Sequence, residues 1–403
     1  MPKHNHNHKK TKKRTRHRIA PRLKPMHNVI IETPKKYAPP LKMNNILFPS
    51  IEPYKKLHLE VDTVSIKSTP TPCKIYVELI GNPKGIPVIY LHGGPGDYIT
   101  KFLRRLFNPR RFHIAIFDQR GTGKSTPSQC IQKNTTQHSI QDIEKIRKEL
   151  LNTEQVIIAG GSWGASLAIL YAQAHPSHVN GILLRGLTDL NKQHHGPTNY
   201  FNQSYRDLFP EVMEDFAYRL KMNPTVPGKN IAKTLYKMVT SSNPKTREKG
   251  ASIWANTAGN VMYLNPENNA RGHKDSKKEG LTLAIIDLHY VTNDYFISHN
   301  QMIRPDQLRK IEHIPTYMVH GRYDVVCPLY MSYNMHRNLK HPMNRLHIVK
   351  AAHTYYEPEV ARGCIKGLEY LGNIIQNKKT STRKNKTRKT KTRKNKTRKT
   401  RKS

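Results

Sequence analysis

The chain is poor in cysteine and has no long apolar run. Its four cysteines lack the spacing of a metal site, so we expect free thiols. No apolar segment is long enough to span a membrane, and none near Met1 resembles a signal-peptide core. These absences predict a soluble, intracellular protein in the cytoplasm, with a nuclear location directed by its basic ends as the alternative. The cysteines are Cys73, Cys130, Cys327 and Cys364.

Acidic residues are also scarce, and both ends of the chain lack them altogether. The 403 residues include 69 Lys or Arg and 28 Asp or Glu, which gives a formal net charge of +41. Residues 1–24 contain ten of these cations and residues 378–403 contain fifteen, within a near-exact ten-residue repeat over 382–401. Because such segments bury little and repel themselves, we predict that residues 1–45 and 377–403 are disordered.

The basic ends have two interpretations. In the first, they bind nucleic acid or an anionic lipid surface without specificity, through phosphate contacts that salt weakens. Alternatively, they only keep the protein in solution. His4, His6 and His8 alternate in the first of these segments, but an unstructured chain does not preorganise them for a metal ion.

One glycine that a nucleotide-binding loop requires is missing. The segment Gly121–Ser125 reads Gly-Thr-Gly-Lys-Ser, like the end of a phosphate-binding P-loop. The pattern needs a glycine five residues before Gly123, where this chain has Asp118. Pro127 then interrupts the helix that should follow. The sequence therefore predicts no nucleotide site, and we expect an activity that needs no metal or other cofactor.

A nucleophile elbow is predicted at Gly160–Gly164, which reads Gly-Gly-Ser-Trp-Gly. An apolar, strand-like run over Val156–Ala159 leads into it, and a helix-like run over Ala165–Ala174 leads out. A nucleophilic serine needs this sharp strand-to-helix turn to stand exposed beside a base, and the flanking glycines remove Cβ atoms that would clash. We therefore predict that Ser162 is a nucleophile.

An acid and a histidine follow Ser162 in the chain order that this architecture uses. Asp324 comes just after the strand-like run Ile314–Val319, and His353 follows the run Leu346–Val349. In the predicted mechanism, His353 takes the serine proton and returns it to the leaving group, while Asp324 orients the imidazole. Either residue alone is as readily explained as a polar turn residue. Their order and their positions after strands favour the catalytic role.

A glycine-rich loop upstream supplies a predicted oxyanion hole. The apolar run Pro87–Leu91 ends in His-Gly-Gly-Pro-Gly at residues 92–96, where main-chain N–H groups can approach a substrate closely. In this architecture one donor comes from such a loop and the other from the residue after the nucleophile. Gly94 and Trp163 are therefore the candidate donors, whereas His92 is expected to be structural.

Seven strand-like runs alternate with helical patterns, which predicts an α/β fold with a mainly parallel sheet covered by helices. Over residues 188–305 the pattern changes to polar helical stretches such as Glu211–Met222 and Ile231–Val239, so we predict an inserted helical cap. The two parts of the core are then residues 46–187 and 306–376. The predicted strands are Lys74–Ile80, Val88–Leu91, Phe112–Phe117, Val156–Ala159, Gly181–Leu184, Ile314–Val319 and Leu346–Val349.

Five motifs of this chain occur together in one known family. They are residues 92–96, Asp118–Ser125, Gly160–Gly164, Leu184–Gly186 and Gly321–Pro328. Together they resemble the proline iminopeptidase family, the prolyl aminopeptidase branch of the α/β-hydrolases. The resemblance implies the α/β-hydrolase fold with an inserted cap and a serine peptidase that removes an N-terminal proline. It also implies a peptide or small aminoacyl substrate that enters with a free amine.

The residues that would bind this amine are only partly present. The resemblance implies two cap glutamates that hold the amine, one of them directly after a tryptophan. Here the tryptophan matches Trp254, but Ala255 follows it, and the shorter Asp287 stands at the second position. Fewer and shorter carboxylates weaken the charge-assisted bonds that recognise an amine. Trp254, Asp287 and Arg185 are the candidate substrate-binding residues.

Two other functions stay open on the sequence alone. An esterase or amidase would keep the triad while lacking amine recognition. A polyanion-binding protein on an idle hydrolase scaffold would explain the basic ends, but it gives no reason for an intact triad and oxyanion loop. We therefore expect a serine aminopeptidase of the proline iminopeptidase type.

Overall fold

A nine-stranded sheet forms the centre of the protein in the computed structural model. The structure describes residues 28–31, 42–188, 190, 207–223, 228–264 and 277–399. The described strands are β1 (Val29–Ile31), β2 (Lys55–Ile66), β3 (Thr69–Gly81), β4 (Ile86–Leu91), β5 (Phe112–Phe117), β6 (Val156–Gly161), β7 (Val179–Arg185), β8 (Thr316–Gly321) and β9 (Arg345–Val349).

Most neighbouring strands of this sheet are parallel. The order across the sheet is β1-β9-β8-β7-β6-β4-β5-β3-β2, and the antiparallel pairings among the described strands are those of β3 with β2 and with β5. Every residue of β5, β6 and β8 is buried. Parallel strands covered on both faces are continuous apolar runs rather than alternating ones, which is the pattern in the sequence. The predicted α/β fold is confirmed.

Helices cover the two faces of the sheet. Val156 and Ile158 of β6 belong to one apolar cluster, and Ile157 and Ala159 belong to a second, as the alternation of side chains along a strand requires. The described helices are α1 (Lys101–Arg104), α2 (Thr136–Lys145), α3 (Trp163–Ala174), α4 (Pro210–Leu220), α5 (Gly228–Val239), α6 (Pro244–Val261), α7 (Lys277–Thr292), α8 (Pro305–Ile311), α9 (Tyr330–Asn338) and α10 (Pro358–Lys399). Shorter helical turns are Met43–Asn45, Ile146–Leu150, Pro176–His178, Asp294–Phe296 and Gln301–Ile303.

Helices α4 to α7 lie between β7 and β8, where the sequence predicts the inserted cap. The first two correspond to the predicted stretches at 211–222 and 231–239. Their buried side chains, among them Phe216 of α4 and Leu235 of α5, join the apolar cluster that also contains Leu167 of α3. The inserted helices therefore share one core with the hydrolase sheet.

The structure differs from the sequence prediction at the amino-terminal end. Within residues 1–45, predicted to be disordered, Val29–Ile31 form β1 and pair in parallel with β9. This short apolar run can extend the ladder, and the unpaired edge of β9 favours such an addition. Residues 1–27, which include the three alternating histidines, lie outside the described residues.

At the carboxyl-terminal end, α10 runs to Lys399 and so extends into residues 377–403, the basic tail of the sequence analysis. Buried Leu368, Leu371 and Ile375 hold its first part on the core. None of the described helices combines the length and the apolar character needed to cross a membrane.

Candidate active site

Ser162 stands at the turn between β6 and α3. Its backbone has φ 57° and ψ −127°, outside the regions of both strand and helix. A Cβ at Gly164 would clash with the main-chain oxygen of Leu91, so glycine allows α3 to begin this close to β4. The Ser162 N–H donates to the Arg185 oxygen at 2.8 Å, which ties the turn to β7. The backbone here has the strand-turn-helix form that the sequence predicts.

The acid and the histidine meet after the ends of β8 and β9. His353 Nδ1 lies 2.8 Å from Asp324 Oδ2, and the Cys327 N–H donates to Asp324 Oδ1 at 2.8 Å. Both side chains are buried. Burial by itself would raise the pKa of the Asp324 carboxyl, but the neighbouring histidines and the Cys327 N–H hold it below its ordinary value. Asp324 is therefore ionised beside the imidazole that it would orient.

A second buried histidine, His320, lies behind Asp324 and was not singled out from the sequence. Its Nε2 is 2.6 Å from the Cys327 oxygen and 3.4 Å from Asp324 Oδ2. A carbonyl oxygen only accepts, so Nε2 carries the proton and Nδ1 accepts from the Ser332 hydroxyl at 2.7 Å. Burial lowers the pKa of His320, which keeps the ring neutral. A polar residue inside the apolar run of β8 was the signal that could have found it.

Arg185 is buried against the imidazole of His353. Its Nη1 donates to the His353 oxygen at 2.9 Å and lies 3.2 Å from His353 Nε2. Because a guanidinium can only donate, Nε2 accepts and Nδ1 donates to Asp324. Within the described structure, Ser162 Oγ makes no hydrogen bond to His353. The residue predicted to bind substrate thus contacts the nitrogen that would receive the serine proton.

Gly186 leaves room for the pair of Asp324 and His353. It has φ +54°, and a Cβ there would lie 3.1 Å from His353 Cε1 and 3.3 Å from Asp324 Oδ2. A larger residue would be strained and would displace the imidazole. No role for Gly186 was predicted from the sequence. A glycine directly after a buried strand was the available signal.

The glycine-rich loop at 92–96 lies directly against Ser162. A Cβ at Gly93 would be 3.3 Å from the Ser162 Cβ, and Gly94 has φ +100°. Gln119 joins the loop to the elbow, because its Nε2 donates to the first main-chain oxygen of the loop at 3.0 Å and its Oε1 accepts from Trp163 Nε1 at 2.9 Å. Trp163 begins α3, so its main-chain N–H is one of the four that a helix leaves unbonded. Both oxyanion candidates therefore belong to segments that converge on Ser162.

His92 and Asp118 support the loops behind the site. The Gln119 N–H donates to His92 Nε2 at 3.0 Å, and burial lowers the pKa of this ring. Asp118 accepts from the N–H groups of Ile99 and Lys124, both at 2.8 Å. The loop that resembles a P-loop thus folds around a carboxylate of its own chain.

Asp287 and Trp254 meet in the cap. Trp254 Nε1 donates to Asp287 Oδ2 at 3.1 Å, while Asp287 Oδ1 is buried and has no hydrogen-bond partner among the described residues. Burial raises the pKa of the Asp287 carboxyl to about 8, against the opposing effect of the indole N–H. Ala255, the next residue after the tryptophan, adds no carboxylate.

Helix α7, which carries Asp287, packs on the glycine-rich loop and on the tryptophan that follows Ser162. A Cβ at Gly96 would lie 3.2 Å from the Ile286 Cβ, so the helix touches the glycine-rich loop one residue before Asp287. On the elbow side, the Trp163 ring centre is 5.1 Å from that of Tyr290. The cap carboxylate is thus held on a helix that contacts the elbow and the loop directly.

One group of side chains among the described residues has the composition of a metal site. Glu144, His175 and His178 bring ligand atoms within 4.8 Å of one another, near the carboxyl end of α3. The Glu144 carboxylate already accepts from Arg147 at 2.7 Å, and the Lys148 ammonium lies 3.2 Å away. Two cations beside the carboxylate oppose a divalent ion, so the contacts here are those of an ion-pair network.

Known proteins resemble this chain over most of its length. The alpha/beta hydrolase fold family matches residues 86–359. Proline iminopeptidase from Arabidopsis thaliana is 34% identical over 317 residues, which cover 78% of this chain and 79% of that protein. The protein of the same name from Xylella fastidiosa (strain 9a5c) is 33% identical over 315 residues, covering 78% of this chain and 95% of that protein.

Solved structures agree on the fold. An esterase from Exiguobacterium antarcticum has a TM-score of 0.52 at 22% identity, covering 78% of this chain and 99% of that one. A thermophilic esterase from Thermogutta terrifontis has the same TM-score at 17% identity, covering 79% and 99%. At such identities the likeness concerns the fold alone. The sequence relatives, at 33–34% identity over 78% of this chain, show that it belongs to the proline iminopeptidase family of α/β-hydrolases.

Proposed function

We propose that this chain is a serine aminopeptidase that releases an N-terminal residue from peptides, with proline as the preferred residue. One observation supports the proposal: the strand-to-helix turn at Ser162, beside a glycine-rich loop, is joined through Arg185 to the hydrogen-bonded pair of Asp324 and His353. The names of the sequence relatives, which are proline iminopeptidases, point to the same reaction.

The proposed reaction proceeds through an acyl-enzyme. Ser162 Oγ attacks the carbonyl carbon of the first residue, and its proton passes to His353 Nε2. The resulting oxyanion accepts hydrogen bonds from the N–H groups of Gly94 and Trp163. The C–N bond breaks as His353 gives the proton to the departing amine. Water, deprotonated by His353, then attacks the ester, and the amino acid leaves as the serine regains its proton.

Arg185 acts on the histidine in this proposal, and not on the substrate. Its head group is buried and donates to the His353 oxygen, which fixes the loop that carries the imidazole. His353 Nε2 must exchange the Arg185 contact at 3.2 Å for the Ser162 hydroxyl when the reaction starts. Catalytic hydrogen bonds are often loose before substrate binds and tighten in the complex, so this exchange belongs to substrate binding.

Asp287 is the proposed acceptor for the substrate amine. Its Oδ1 is buried and lacks a hydrogen-bond partner among the described residues, and such an oxygen is costly to leave unpaired. A prolyl N-terminus carries two N–H groups and a positive charge, so it can donate a charge-assisted bond to this oxygen. Trp254 holds the other oxygen, and Ala255 offers no second carboxylate. Of the two anchoring positions that the family resemblance implies, only that of Asp287 therefore carries an acid.

The basic ends support a second, separable proposal, which is electrostatic binding to nucleic acid or to an anionic lipid surface. Residues 378–403 contain fifteen Lys or Arg and no acid, enough to displace many counterions from a polyanion. Deleting residues 1–24 and 378–403 should leave turnover of small substrates unchanged and remove most of the salt-sensitive binding to duplex DNA or anionic vesicles. Equal binding by the truncated protein would place the binding surface on the folded domain and exclude this role of the ends.

Product analysis on defined substrates tests the peptidase proposal. Incubation with a Pro-Ala dipeptide and with proline 4-nitroanilide should release free proline, and purified Ser162→Ala protein, as the matched control, should release none. An alanine 4-nitroanilide and 4-nitrophenyl acetate complete the panel. Cleavage of the acetate without cleavage of any aminoacyl substrate would favour the esterase alternative and reject the aminopeptidase.

A further inference from the structure

A main-chain segment of the cap contacts the loop that carries His353. The oxygen of Met262, directly after α6, accepts from the N–H groups of His353 and Thr354 at 3.1 and 3.3 Å. Two residues later, the Leu264 N–H donates to Glu357 Oε1 at 2.9 Å. Main-chain contacts depend on the position of the backbone itself, so they link the placement of the cap to that of the histidine loop.

Glu357 holds both segments at once. Its other oxygen, Oε2, accepts from the N–H of Ala352, the residue before His353, at 2.6 Å. The side chain is buried, and its two oxygens therefore serve one donor from the cap and one from the histidine loop. Each of these oxygens accepts a main-chain N–H, so this bridge fixes the separation of the two segments.

The helix that leads to this bridge also carries a residue of the substrate site. Trp254 lies in α6 and donates to Asp287, the proposed amine anchor. The helix ends at Val261, next to Met262. One continuous helix therefore connects the partner of the amine anchor with the residue that bonds to the histidine loop.

We propose that Glu357 is a positioning residue that couples the cap to His353. The inference rests on the proposed function of the site. The carboxylate keeps the imidazole aligned with Ser162 while the cap holds the substrate amine at Asp287. Without the bridge, the histidine loop shifts relative to the bound substrate, and a displacement of about 1 Å can cost about 100-fold in rate.

The first test compares Glu357→Gln with Glu359→Gln. The second is a matched change at the next acid along the chain, which lies in α10. Glutamine keeps the size of the side chain but replaces one acceptor oxygen with an NH₂ group, which faces a donor. Glu357→Gln should lower kcat for proline 4-nitroanilide by about 10- to 100-fold with little change in KM, whereas Glu359→Gln changes neither. The rate at which a serine-directed phosphonate labels Ser162 should fall in parallel with kcat.

The second test breaks the bridge from the cap side. Leu264→Pro removes the N–H donor, and Leu264 is 45% exposed, so this change removes no buried side chain and serves as a second test where Glu357→Gln fails to fold. It should lower kcat and the labelling rate, and the double variant should lose no more than either single one, because both changes break one interaction. If the losses of the two single variants multiply in the double variant, the coupling is overturned. A folded single variant with the wild-type kcat and labelling rate would overturn it as well.

Phosphonate labelling separates this inference from the proposed function. If no prolyl substrate is cleaved but labelling of Ser162 still depends on Glu357 and Leu264, the aminopeptidase proposal fails and the positioning role stands. If prolyl substrates are cleaved and the labelling rate does not change when Glu357 or Leu264 is substituted, the positioning role fails and the aminopeptidase proposal stands.

Discussion

Around Ser162, each polar group has several hydrogen-bond partners. The Asp287 carboxylate in the cap has a partner at one of its two oxygens among the described residues. Asp324 contacts two histidines and a main-chain N–H, and His353 is held at its ring and at its main chain. Asp287 accepts one indole N–H, and its second oxygen is buried without a partner among the described residues. Before any substrate binds, the polar groups around Ser162 are therefore held by more hydrogen bonds than the proposed amine anchor Asp287.

This difference separates the residues expected to act on the chemical step from those expected to act on substrate binding. The elbow side is preorganised by the fold, so changes there should act on the chemical step and lower kcat. In the proposed function the ligand completes the cap side, so changes there should act on binding and alter KM for substrates with a free amine. An elbow variant that changes only KM, or a cap variant that lowers only kcat, would contradict this distinction.

The largest effect is expected from the nucleophile itself. Ser162→Ala should lower kcat for proline 4-nitroanilide by roughly 10⁴-fold or more, and the double variant with His353→Ala should lose little further, because the residues act as one unit. Steady-state kinetics measures the loss, and circular dichroism checks that the fold is kept. Activity that persists in purified Ser162→Ala protein would contradict the proposed mechanism.

A smaller loss is expected where the fold makes room for the histidine. Gly186→Ala places a Cβ 3.1 Å from His353 Cε1 at φ +54°, so the imidazole must move. A displacement of this kind should reduce kcat by about 100-fold. Gly280→Ala is the matched control, because nothing lies within 4 Å of a Cβ at that position, and it should keep full activity. Equal kinetics for the two alanine variants would show that the close approach is unimportant.

A gain is expected on the cap side when a second carboxylate is supplied. Ala255→Glu adds an acid directly after Trp254, and one further charged hydrogen bond contributes about 1.5 kcal/mol, or about tenfold in KM for free-amine substrates. Ala255→Gln has the same shape without the charge and should leave KM unchanged. If both variants behave alike, position 255 does not reach the amine.

The last expected effect concerns stability and pH. Burial raises the pKa of Asp287 from 3.8 to about 8, so the folded state holds this proton more tightly than the unfolded chain does. The stability that comes with the neutral carboxyl is full below about pH 4 and is lost as the pH rises towards 8. Asp287→Asn carries no such group and should gain stability over the wild type across that window in urea unfolding. A difference that does not vary with pH would mean that the carboxyl is not buried in solution.

The elements that sequence could predict were those encoded by local patterns. Ser162 lies in a motif with a strand before it and a helix after it, and Asp324 and His353 follow in a set order after apolar runs. The contacts of Arg185 with His353 and of Glu357 with the cap join residues far apart in the chain, so no local pattern reveals them.

Strand prediction failed where burial is incomplete. β2 exposes most of its residues and therefore lacks a continuous apolar run. β1 has three residues inside a basic segment, and its pairing with β9 supplies the stability that its own sequence does not indicate.

The most direct measurement compares kcat/KM for proline 4-nitroanilide and for its N-acetylated form in the wild type and in Asp287→Asn. The wild type should prefer the free amine by about 10- to 100-fold, the contribution of one or two charged hydrogen bonds. In Asp287→Asn this preference should largely disappear, while hydrolysis of the acetylated substrate stays unchanged. The same preference in both proteins, or an acetylated substrate cleaved as fast as the free amine by the wild type, would contradict amine recognition by a single cap carboxylate.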